Sequence, residues 1–128
     1  MPHRQQLQSE IISYIKGIEN VHCVVSDPDK VGEFWAGLLG KPKHQDGAWS
    51  EFTIGGLDVA VTGGVTPKSV ITFKVENLSA LRSVLHDKGY PVTEIQHGEY
   101  GDFVEVSPDE GFAFHFFEPK KKCGALSV

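Results

Sequence analysis

The chain has 128 residues, 40% of them hydrophobic and 23% charged, with a net charge of −5. That length suits one domain with its own core, and the composition excludes disordered, collagen-like and disulfide-scaffold classes. The acidic balance leaves no electrostatic footprint for nucleic acid, and no apolar run is long enough to span a bilayer.

Leu7, Ile11, Ile12 and Ile15 recur at helical spacing, so residues 1–16 read as an amphipathic N-terminal helix stopped by Gly17. Glu19–Ser26 alternates apolar and polar residues and reads as a strand. Asp27-Pro28 then supplies an N-cap acceptor and a first-turn proline. Val31, Phe34, Trp35, Leu38 and Leu39 form the apolar stripe of the helix that follows, and Gly40 and Pro42 end it. Strands are expected at Lys43–Gln45, Ala48–Ile54 and Leu57–Thr62, the last two joined by Gly55-Gly56.

The same order then begins again. Val70–Val75 is a strand, and Asn77 is placed to cap a helix bearing Leu78, Leu81, Val84 and Leu85. After Gly89 and Pro91, strands are expected at Val92–Gln96, Asp102–Val106 and Phe112–Phe117. Val25 matches Val75, Gly40-Lys41-Pro42 matches Gly89-Tyr90-Pro91, and Phe52 matches Phe103. The expected fold is therefore α+β. Two tandem β-α-β-β-β modules, residues 17–64 and 65–118, share an open curved mixed sheet with the helices outside. Residues 119–128, with Lys120, Lys121 and Lys122, read as a flexible tail.

Cys23 lies in a strand pattern and Cys123 in the tail, so no disulfide framework is expected and both thiols suit a reducing cytosol. The N-terminus lacks a signal peptide's apolar block, which makes the cytoplasm the expected compartment.

A helix packed on one sheet face leaves the other face free as a small-molecule cleft. Period-two alternation puts Asn20, His22 and Val24 on that face, with Asp58, Ala60 and Thr62 on the fourth strand. Val70, Thr72, Lys74, Ala113, His115 and Phe117 join them from the second module, and Trp49 has the parity to line the cleft. His22 and His115, with Asp58 and Thr72 as neighbours, read either as a metal or general-base site or as hydrogen-bonded pocket histidines. Phe52 and Phe103 are expected under the helices, and Phe112, Phe114 and Phe116 in the core. At least one of Phe34 and Trp35 reads as core. Glu51, Glu99 and Glu105 are possible carboxylate bases, but solvated strand-face charge is the expectation for each. His44, His86 and His97 receive no role.

The segment VHCVVSDPDKVGEFWAGLLG resembles the glyoxalase-like branch of the vicinal-oxygen-chelate superfamily, which includes glyoxalases, bleomycin-resistance proteins and dioxygenases. ITFKVENLSALRSVLHDKGYPV and VSPDEGFAFHFFE look like that family's second module. The resemblance implies four metal-ligand positions, which fall here on Asn20, Ala60, Val70 and His115. Ala60 and Val70 carry no donor, so no metal is expected, with a divalent ion as the alternative. The resemblance thus implies a small-molecule-binding protein for an organic ligand, aromatic ones included. The alternative is a metal-dependent isomerase, lyase or dioxygenase using His22 and His115, and a third reading is an interaction domain. A homodimer is the implied assembly.

Overall fold

The computed structural model describes residues 10–120. The tail beyond residue 120, Leu7 and the rest of residues 1–9 lie outside the described residues. Within them, β1 (Ile15–Val25) leads to α1 (Pro28–Leu39), β2 (His44–Asp46), β3 (Trp49–Ile54) and β4 (Leu57–Gly63). The second module repeats this as β5 (Lys68–Val75), α2 (Leu78–Asp87), β6 (Gln96–His97), β7 (Gly101–Asp109) and β8 (Phe112–Pro119).

All eight strands form one open mixed sheet in the order β2-β3-β4-β1-β5-β8-β7-β6. Within each module the first strand runs parallel to the last, β1 with β4 and β5 with β8. The modules join where β1 and β5 pair antiparallel, His22 opposite Val70 and Asn20 opposite Thr72. This seam makes the two halves near-equivalent and places the first strand of each at the centre of the sheet.

The N-terminal helix ends earlier than its periodicity predicts. Residues 10–12 are helical, but Ile15 already pairs with Val75, and Tyr14 accepts a backbone hydrogen bond from Glu76. Pairing with a central strand overrides the helical spacing of Ile11 and Ile15, and Gly17 lies at a bulge in β1. Ile11, Tyr14 and Ile15 pack against the second module's core.

Asp27 caps α1 as its sequence predicts, accepting from the Lys30 N–H at 3.1 Å. Asn77 does not cap α2 with its side chain; its backbone is left-handed, at φ 55°. The Glu118 carboxylate, arriving on β8, instead accepts from the Leu78 and Asn77 N–H groups at 3.0 and 3.3 Å. A charged acceptor there also suits the positive end of the helix dipole.

Val92–Gln96 is not a full strand. Val92 makes one isolated bridge to Val106, and the Thr93 hydroxyl takes the ladder hydrogen bond of the Glu105 N–H. Pro91, lacking a donor, precedes this stretch on the sheet's edge.

The main buried cluster belongs to the second module: Val75, Leu78, Leu81, Leu85, Val104, Val106 and Phe116. Phe114 packs on it, as its alternation with Phe116 predicts. In the first module Trp35 meets Phe52 at 5.8 Å between ring centroids, but α1 buries no residue fully. Phe34 and Leu38 are 68% and 71% exposed. Among the described residues, no helix is long and apolar enough to cross a membrane.

Candidate functional site: a cleft on the concave sheet face

The face opposite the helices holds a cleft of about 790 Å³. Its floor follows from register. Asn20, Thr72 and His115 lie side by side across β1, β5 and β8. His22, further along β1, faces the same way and is buried, as is Thr72. Trp49 stands beside His22 with ring centroids 5.2 Å apart, and Phe103 stacks on His115 at 4.8 Å. Phe117 and Tyr100 extend the aromatic wall. Glu19, His44, Asp46, Glu51, Glu99 and Lys120 complete the lining.

Six of the seven side chains expected here therefore line the cleft: Asn20, His22, Trp49, Thr72, His115 and Phe117. Asp58 does not. It accepts from Lys43 at 2.9 Å and Thr53 at 2.7 Å, and the same Lys43 pairs with Glu51 of the lining. The Lys43 hydrogen bond is the main cause holding its carboxyl below the usual range.

Phe103 departs from expectation in the opposite direction. The apparent repeat aligns it with Phe52, but β-sheet register aligns it with Trp49. Glu51 lies opposite Ala60, Glu105 lies opposite His115, and Ala60 and His115 are equivalent positions on β4 and β8. Glu51 and Glu105 are thus counterparts, and so are Trp49 and Phe103 two residues earlier. An odd-numbered slip in alignment sends a side chain to the wrong face.

Both glutamates have structural partners instead of standing in solvent. Glu51 accepts from the Trp49 indole N–H at 2.9 Å and pairs with Lys43 at 3.2 Å. Glu105 accepts from His115 Nε2 at 2.9 Å, while both its oxygens bind Lys68 Nζ, at 2.9 and 3.1 Å. Burial pushes the Glu105 carboxyl up, but the hydrogen bonds from Lys68 and His115 outweigh it and hold the group below the usual carboxylate value. His44, given no role by its sequence, also lines the cleft. The signal available in the sequence was parity alone, which does not show how far a strand-face carboxylate is covered.

The two imidazoles stand 5.8 Å apart, edge to face. Burial, then the proximity of His115 and Lys68, lowers the His22 pKa to about 4. Burial also pushes His115 down, and the bond to Glu105 only partly restores it. Both rings are therefore neutral at pH 7. His22 Nδ1 lies 2.9 Å from Asn20 Oδ1, an acceptor, so Nδ1 carries the hydrogen and Nε2 the lone pair. In His115 the carboxylate fixes the hydrogen on Nε2 and leaves the lone pair on Nδ1.

The four ligand positions that the sequence resemblance implies fit a divalent ion poorly. Ala60 and Val70 are fully buried and have no donor atoms. Asn20 Oδ1 is already held by His22, which leaves His115, through its Nδ1 lone pair, as the one nitrogen donor of the four positions. Among the described residues, no three His, Cys, Asp or Glu side chains group as metal ligands would.

The doubled module, the antiparallel seam and the concave cleft define the vicinal-oxygen-chelate fold, and solved structures agree. Methylmalonyl-CoA epimerase from Mycobacterium tuberculosis aligns over 88% of this chain and 93% of its own, with TM-score 0.66 and 16% identity. A glyoxalase/bleomycin resistance protein/dioxygenase superfamily member from Vibrio splendidus 12B01 aligns over 77% of this chain and 96% of its own, with TM-score 0.61 and 16% identity. A homoprotocatechuate 2,3-dioxygenase variant from Brevibacterium fuscum covers 84% of this chain and 33% of its own, with TM-score 0.64 and 19% identity. At these identities the likeness is one of fold. No family model matches the sequence, and no curated protein matches it.

Proposed function

We propose that this chain binds a small, flat organic molecule in the concave cleft and does so without a divalent ion. The observation that carries the reading is an aromatic wall of Trp49, Phe103 and Phe117 around a floor of neutral hydrogen-bonding groups. Small-molecule sites combine predominantly apolar walls with a few placed polar groups in this way. The donor-poor ligand positions favour this reading over metal-dependent isomerase, lyase or dioxygenase chemistry. A thermal-shift screen tests it, because a ligand bound only by the native state raises the melting temperature. Stabilisation by flat aromatics is expected. Stoichiometric metal on protein purified without chelator or tag, lost in His115→Ala, would overturn the metal-free reading.

The proposed assembly is a homodimer, for which the exposed Phe34 and Leu38 of α1 offer one apolar surface. The proposed compartment is the cytosol, consistent with a free thiol at Cys23.

A further inference from the structure

Both imidazoles of the polar floor turn a lone pair, and not an N–H, to the cleft. His22 donates through Nδ1 to Asn20, and His115 donates through Nε2 to Glu105, so each ring has a lone-pair nitrogen with no protein donor among the described residues. The only buried side-chain polar atom without a partner among those residues is Thr72 Oγ1. His22 Nε2 and His115 Nδ1, unpartnered yet outside that class, therefore remain reachable from the cleft that both residues line. The Thr72 hydroxyl, between Asn20 and His115 in register, is buried without a protein partner and can both donate and accept.

Charge points the same way. Glu19, Asp46, Glu51 and Glu99 line the cleft against one ammonium group, Lys120. The lysines nearest the floor are already committed, Lys43 to Glu51 and Asp58, and Lys68 to Glu105. A ligand carboxylate or phosphate would thus meet imidazole lone pairs and carboxylates, with only the neutral Asn20 amide and Thr72 hydroxyl, and no free cation, at the floor to receive it. Burying a charged group without an opposite charge beside it is disfavoured.

We infer that the cleft selects aromatic ligands whose polar end is a hydrogen-bond donor, such as an amidine or amine, and discriminates against aromatic anions. The inference rests on the cleft being the ligand site and adds the chemical class of that ligand. The aromatic wall contributes to the same preference, since Trp and Phe faces attract cations.

Benzamidine and benzoate have nearly the same shape and opposite hydrogen-bonding sense, which makes them the matched probes. NMR titration of the wild-type protein at pH 7 would follow the Trp49 indole N–H, whose bond to Glu51 places it in the wall. Benzamidine is expected to bind at least about tenfold more tightly than benzoate. Benzoate binding as tightly or more tightly would overturn the inference and leave the cleft reading standing. No displacement of the Trp49 resonance by either probe would overturn both. Imidazole nitrogen NMR gives an independent arm. The Nδ1–H form of His22 and the Nε2–H form of His115 are expected, and the reverse tautomer at either residue would overturn the acceptor floor.

Discussion

Protonation of His22 couples the cleft floor to stability. Its pKa is about 4 in the fold against 6.5 for an unperturbed imidazole, so between those values the unfolded chain takes up a proton that the folded chain refuses. The contribution is fully present above pH 6.5 and is lost as pH falls through about 4, to the extent of on the order of 3 kcal/mol. His115, also depressed, adds loss in the same direction. Urea midpoints at pH 7 and pH 4.5 should therefore fall further apart in wild-type protein than in His22→Gln; equal separations would contradict the burial argument. Thr72 makes a second residue-scale case. Its Oγ1 is buried without a partner, so Thr72→Val is expected to raise the stability of ligand-free protein by about 1 kcal/mol. A loss of that size would show instead that the hydroxyl is satisfied by water.

The two helices are equivalent by topology and unequal in energetics. Leu81 on α2 is fully buried, so Leu81→Ala should cost about 2–5 kcal/mol in a denaturation experiment. Leu38 on α1 is largely exposed, and Leu38→Ala should stay within about 0.5 kcal/mol per monomer. A change in light-scattering mass for the same variant would locate the proposed dimer contact on α1. At the turn into β7, a Cβ on Gly101 would run into the Glu118 carbonyl oxygen and come within 2.8 Å of the Phe117 ring. Gly101→Ala should displace the Phe117 wall, lowering stability by about 1–3 kcal/mol and weakening ligand binding in the same titration.

Across the whole molecule, buried apolar contact is concentrated in the second module, where α2, β7 and β8 close the main core over β5. Native-state hydrogen exchange should find the slowest amides in β5 and β8 and faster exchange in α1, whose apolar stripe is not fully buried. Uniform protection of both helices would show that α1 is covered in solution. The cleft draws on both modules across the seam, so ligand binding should slow exchange on both sides of β1–β5.

Local pattern was sufficient for much of this. The Asp27-Pro28 cap, the apolar stripe of α1, the turns and the repeated strand–helix order are written in near neighbours, where period and propensity act directly. So are the parities of Asn20, His22, Thr72, His115 and Phe117, because side-chain direction alternates along any one strand. Tertiary structure decided what depends on pairing between distant segments. Register placed Phe103 beside His115 instead of under a helix, and Lys43 tied Asp58 to the rim residue Glu51. Glu105 became the group that fixes His115's tautomer, and Glu118 became the cap of α2, from 10 and 40 residues away in the chain. Such contacts are set by backbone ladders and by how deeply each carboxylate is covered, quantities that no stretch of sequence contains by itself.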